Sequence, residues 1–151
     1  MDHALAVYDG NGTDLLEEAG ELAAGVAAEV TVLALMTDEE FEETAETLDA
    51  VASEEGTGYG DSTVLDAVRS EADEAVREAY DSLDLEWEVV GAVVSDDGDA
   101  AERIVETAIN RGADHVFLGG EKRSPTGKAV FGDRSQAVIL NFDGPVTTHL
   151  V

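Results

Sequence analysis

Five short apolar runs, spaced by longer amphipathic stretches, constrain this chain more than any other feature. They are HALAVYD (3–9), VTVLALM (30–36), LEWEVVGAVV (85–94), HVFLGG (115–120) and VTTHLV (146–151). VTVLALM is almost continuously apolar, as suits a parallel strand buried on both faces. Asp9-Gly10 marks a turn after the first run, and Thr13 or Asp14 is placed to cap a helix, with Glu17 three residues after Asp14. Leu15, Ala19, Leu22 and Val26 then recur at helical spacing and are expected to face inward. Phe41, Ala45, Leu48 and Val51 are compatible with a helix inside the acidic stretch 37–62, which ends in the connection EEGTGYGD. Val64, Leu65, Val68, Ala72, Ala75, Val76 and Ala79 mark the next helix. Ala101, Ile104, Val105 and Ala108 mark another, stopped by Gly112 as a left-handed cap. A short helix is expected over about 132–141, broken by Gly144-Pro145 before the last strand.

The order reads β-α-β-α-β-α-β-α-β. Such alternation predicts an α/β fold: one doubly wound parallel sheet with helices on both faces and right-handed crossovers. No linker or repeat divides the chain, so residues 1–151 read as a single domain. Ligands of such sheets bind beyond the carboxyl ends of the strands, at the switch in strand order. Asp9-Gly10 and Gly119-Gly120 are both strand ends, and they flank that crevice if strands one and four are neighbours.

Charge narrows the class of function. Thirty-five acidic residues face eight basic ones, a net charge of −27. A compact state with that charge repels itself in dilute salt, whereas in molar salt the screening length falls to ~3 Å. The balance resembles proteins of organisms that accumulate salt in the cytoplasm, and nearly every Asp and Glu is read as solvated surface. It also argues against nucleic-acid binding, which needs a basic face. Without cysteine there is no thiolate or disulfide chemistry, and His3, His115 and His149 are scattered without metal-ligand spacing. They lie in or beside strands with no recognisable partner, which reads as structural. No apolar run approaches the ~20 residues that span a bilayer, and MDHALAVYDG has no basic leader, so a cytoplasmic protein without a membrane partner is expected.

Against this background, four of the eight basic residues, Lys122, Arg123, Lys128 and Arg134, fall within EKRSPTGKAVFGDR (121–134). The stretch follows the fourth strand and leads into a helix. A glycine-rich loop in that position can turn backbone N–H groups toward one anion, and lysine and arginine add charge-assisted hydrogen bonds to phosphate. Ser124 and Thr126 supply hydroxyls; Gly127 and Gly132 supply freedom. The alternative is that these cations pair with the chain's own carboxylates. TGKA is not a Walker loop, because the first glycine would fall on Lys122 and the hydroxyl position is Ala129. Nor is Gly10-x-Gly12 a dinucleotide fingerprint, since the third glycine would be Leu15.

The whole chain resembles the universal stress protein family: the first strand ending in Asp9, RGADHVFLGG, the loop after it, and the terminal GPVTTHLV. KRSPTGKAVFG looks like the version in salt-loving archaeal members. The family's nucleotide-binding branch carries G-x-x-G, nine residues, then G-[ST]. Gly119 and Gly132 match; Lys122 and Asp133 replace the second glycine and the hydroxyl residue. The resemblance implies a sheet of order 3-2-1-4-5, Rossmann-like, and a stress-response regulatory protein that binds ATP or another adenine nucleotide, with Mg²⁺ only alongside it. By resemblance Asp9 meets the adenosine part, beside Gly10, and Leu35 brackets adenine through its backbone. Gly119, Gly120 and Gly132 would line the phosphates with Lys122, Arg123, Ser124, Gly127, Lys128 and Asp133. Asp133 puts a carboxylate where phosphate should meet a hydroxyl, which Lys122 would offset; its other reading is an ordinary acid in a first helical turn. Asp9, likewise, is able simply to cap its turn.

The resemblance also implies a homodimer through the last strand, Val146–Val151, which reads as an edge that no later segment covers. Two further readings stand beside the nucleotide-binding regulator. One is a nucleotide-free dimer acting as an interaction module. The other is a slow ATPase or phosphotransferase, for which no nucleophile–histidine or carboxylate pair is legible.

Overall fold

The computed structural model describes residues 1–10, 12–55, 61–120 and 132–150, and for 48–55 and 61–63 the helical backbone alone. The elements are β1 (His3–Tyr8), α1 (Asp14–Gly25), β2 (Glu29–Thr37), α2 (Asp38–Glu55), α3 (Asp61–Ala79), β3 (Trp87–Val94), α4 (Asp97–Arg111), β4 (His115–Gly120), α5 (Asp133–Asn141) and β5 (Val146–Leu150). The alternating order counts one helix between β2 and β3, but both stretches with helical spacing there are helices, α2 around Phe41 and α3 from Val64 onward. The strands form one parallel sheet ordered β3-β2-β1-β4-β5. The order reverses between β1 and β4, where Ala4 pairs with both Val30 and His115.

Strand alternation divides the core into two layers. Ala4, Ala6, Val30, Val32, Val89 and Phe117 face α1 and α3. Leu5, Val7, Leu33, Leu35, Val94, Val116 and Leu118 face α4 and α5. Each large aliphatic or aromatic side chain withdrawn this way contributes roughly 1.5–3 kcal/mol.

The phase expected for α1 needs correction. Leu16, Ala19, Gly20 and Ala23 are the buried face, while Leu22 is 48% and Val26 57% exposed. Beyond the buried Leu16 the inner face is made of small residues, which lets α1 lie close to the sheet and to Tyr80. A Cβ on Gly20 would stand 2.3 Å from Tyr80 Cε1. Thr13, and not Asp14, is the N-cap residue, without a side-chain cap bond; its Oγ1 donates to Glu17 Oε1 at 3.2 Å.

α4 follows the expected pattern. The N-cap Asp96 accepts from Asp99 N–H at 2.8 Å, and Asp99 in turn accepts from the N–H of Ser95, the residue before the cap, at 2.9 Å. Gly112, at φ 71°, ends the helix in the left-handed region. Only Ser95 and Asp96 separate β3 from α4, so Asp97 stands at the carboxyl edge of the sheet.

The histidines also depart from expectation, because each has a partner. Thr31 Oγ1 donates to Glu88 Oε1 (3.2 Å), so it accepts from His3 Nε2 (2.7 Å), and Arg111 of α4 closes the row on Glu88 at 2.7 Å. His115 meets Thr147 Oγ1 at 2.8 Å and stacks on Phe117, with centroids 4.4 Å apart. His149 lies 3.6 Å from Glu18 of α1. Sequence spacing does not show these partners, since they sit on neighbouring strands and on a helix above.

Candidate functional site

The crevice at the switch point is a cleft of about 430 Å³ at the carboxyl ends of β1 and β4. β1 contributes Val7 and Tyr8 and the adjoining Asp9 to it; β4 contributes Leu118, Gly119 and Gly120. α1 and the residues before it contribute Gly12, Asp14, Leu15 and Leu16; the first turn of α5 contributes Gly132 to Ser135; Asp97 and His149 close the sides.

Five of the residues expected from the sequence thus come together: Asp9, Gly119, Gly120, Gly132 and Asp133. Two do not line the cleft. Gly10 is exposed, at φ 89°, and Leu35 is buried in the layer facing α4 and α5. Lys122, Arg123, Ser124, Gly127 and Lys128 lie outside the described residues, as does Val151. Tyr8, Asp97, Ser135 and His149 were missed as site residues, and Arg134, read as one of the clustered cations, was not assigned a contact of its own. Asp97 had a usable signal, since it follows the third strand as Asp9 follows the first. Arg134 had one as well, being a cation one residue beyond the helix-starting Gly132-Asp133.

The first turn of α5 is receptive to anions. Its first internal hydrogen bond runs from Gln136 N–H to Gly132 C=O, at 3.0 Å. The N–H groups of Asp133, Arg134 and Ser135 precede that bond, and Gly132 offers no side-chain cap among the described residues. N–H groups of a first turn, at the positive end of a helix, are donors for an anion. Glycine at 120 makes this approach feasible: a Cβ there would stand 3.2 Å from Ser135 Oγ and 3.2 Å from Leu150 Cδ2. The Ser135 side chain itself is buried.

The charged part of the lining is mostly acidic. Asp9, Asp14, Asp97 and Asp133 face one guanidinium, Arg134, among the described lining residues. Arg134 Nε lies 3.3 Å from Asp97 and its Nη1 lies 4.0 Å from Asp9. Burial, and then the Glu71 and Asp9 carboxylates, hold the Tyr8 phenol above its usual range, so it stays a neutral hydroxyl. Among the described residues, no group of three acidic or histidine side chains is arranged to hold a metal ion. No described helix is long and apolar enough to cross a membrane.

Fold and cleft together define a class: doubly wound α/β proteins that present an anion-receptive helix end at the switch point of a five-stranded sheet. The chain matches the Universal stress protein family model over residues 1–148 and belongs to that family. Its fold is similar to a universal stress protein from Archaeoglobus fulgidus, at 25% identity, covering 98% of this chain and 97% of that one, with TM-score 0.60. It is also similar to the universal stress protein from Archaeoglobus fulgidus in complex with dAMP, at 20% identity, 98% and 96% coverage and TM-score 0.55. A universal stress protein in complex with cAMP matches at 16% identity, 99% and 96% coverage and TM-score 0.61. Comparison with curated proteins gives no match.

Proposed function

We propose that this chain is a stress-response regulator that binds an adenine nucleotide in the β1–β4 cleft and acts without turning it over. The observation carrying this reading is the first turn of α5, which has no side-chain cap among the described residues, set beside Gly119 and Gly120 at the switch point. Two structural relatives are complexes with dAMP and cAMP, which supports an adenine ring as the organic part of the ligand. Mg²⁺ would arrive only with a polyphosphate. Lys122, Arg123 and Lys128, in the stretch between Gly120 and Gly132, would add cations to the phosphates. The working form is a homodimer through β5 in a salt-rich cytoplasm. β5 is an edge strand, and the exposed Ile139 and Leu140 lie on the helix just before it.

Calorimetry with ATP, ADP and AMP in molar KCl tests the reading, with released phosphate followed in parallel. Saturable binding without turnover is expected. Absence of binding to all three would replace it by the nucleotide-free interaction module, which the four lining carboxylates favour. Steady phosphate release would replace it by an ATPase.

A further inference from the structure

Arg134 is the one permanent cation among the described residues of the cleft, and it is held rather than free. Its side chain is 24% exposed, while Asp97 beside it is 52% exposed. Nε is closed off from solvent and lies 3.3 Å from Asp97 Oδ1, yet its N–H is not aligned to make a hydrogen bond. The Asp9 oxygen is farther, at 4.0 Å from Nη1. The guanidinium is therefore charge-neutralised but incompletely hydrogen-bonded. A buried donor in that condition is costly, and any ligand that satisfies it gains the difference.

The two sides of the Asp97–Arg134 pair are not equivalent. Asp97 sits in the first turn of α4, already half in water, and can rotate into solvent. Arg134 is anchored in α5 next to the buried Ser135. When an anion enters, the carboxylate is the partner able to leave. A phosphate offers oxygens to Nε–H and Nη–H together, the forked geometry that Asp97 fails to supply. The N–H groups of the same helical turn point to the same place.

We propose that Arg134 selects ligands carrying a phosphate, and that they bind by exchange, displacing Asp97 from the guanidinium. The proposal rests on the nucleotide reading of the cleft. Arg134 is then a specificity-determining residue and Asp97 its resident competitor, which limits affinity. A ligand lacking phosphate leaves the Asp97–Arg134 pair in place and gains nothing from it.

The experiment is calorimetry of AMP and adenosine against the full chain, Arg134→Gln and Asp97→Asn in molar KCl, with circular dichroism confirming that each variant is folded. Expected is tighter AMP binding by Asp97→Asn, about tenfold, and weaker binding by Arg134→Gln, about tenfold or more, since charge-assisted bonds are of that size. Adenosine affinity should stay constant in both. If Arg134→Gln does not fold, the opposite sign in Asp97→Asn still decides. Weaker AMP binding by Asp97→Asn, as for a pair that merely ties α4 to α5, overturns the exchange. So does a shift in adenosine affinity equal to that of AMP. A parent chain binding AMP and adenosine equally overturns the role of Arg134 and leaves nucleotide binding standing. A parent chain that binds neither overturns both.

Discussion

Tyr80 shows how much a single atom can cost. The residue is buried, its ring meets Trp87 edge-on with centroids 6.3 Å apart, and its hydroxyl has no partner among the described residues. Burial raises its ionisation well above the ordinary 10.0. Removing an unpaired buried hydroxyl while keeping the ring should not destabilise, so Tyr80→Phe is expected to raise stability by up to about 1 kcal/mol. A lower urea midpoint for the variant would mean that the hydroxyl has a partner after all. The converse change, Gly20→Ala, drives a Cβ against the same ring and should cost about 1–3 kcal/mol. His115 gives a pH signature. Burial holds its imidazole below the ordinary 6.5, so the unfolded chain binds the proton more readily. Its contribution is complete above about pH 6.5 and falls as pH drops through 6.5 toward the depressed folded value. Asp114, held below 3.8 first by the Asp2 N–H, acts in the same direction only at lower pH. His115→Gln should flatten the fall below pH 6.5, measured by urea midpoints from pH 8 to 5; an unchanged slope would exclude His115 as its source. At this scale the sequence was least informative. Asp9 and the glycines announced themselves by position at strand ends. The pairing of Arg134 with Asp97, the contact of His149 with Glu18 and the Thr31 row depend on contacts between elements, which no local pattern encodes.

Strands were far more legible than helix faces. HVFLGG became β4 residue for residue, and the apolar run of β2 extended by one residue at each end. Periodic aliphatics have no competing explanation in a strand buried on both sides. α1 misled because hydrophobicity and inward direction part company where a helix must approach closely. Its glycine and alanines went in, and Leu22 and Val26 went out. Those two residues lie one and two turns beyond Glu18, which meets His149 of β5. They are exposed, as are Ile139 and Leu140 of α5, the helix that precedes β5. Under the proposed dimer, the full chain should show twice its 15.8 kDa mass by light scattering in molar KCl. Leu22→Asp with Leu140→Asp should return a folded monomer, and an unchanged mass would place the interface elsewhere. Gly112 gives a cleaner test at a helix end. Nothing lies within 4 Å of its would-be Cβ, and φ is 71°. Gly112→Ala should thus cost only the backbone penalty, about 1 kcal/mol. A larger loss would point to a contact the cap does not show.

The whole molecule carries a net charge of −27, and the ion pairs among the described residues do little to neutralise it. Arg77–Asp73 and Arg111–Glu88 are exposed pairs, each worth little. Stability should therefore climb as KCl rises from dilute to molar, because screening relieves repulsion that specific pairing does not. A denaturation midpoint flat across that range would contradict this. Sheet architecture has a different consequence, in time. β1 is the middle strand, yet its neighbour β4 comes late: His3 and Asp114, hydrogen-bonded at 3.3 Å, are 111 residues apart in the chain. During synthesis β1 can find β2 within moments, but its other edge stays open until β4 has emerged. Closing so long a loop is entropically slow. The cleft, whose two walls belong to β1 and β4, is therefore among the last features to exist as the protein folds. Hydrogen exchange on the refolding chain should protect β1–β2 amides before those of β4.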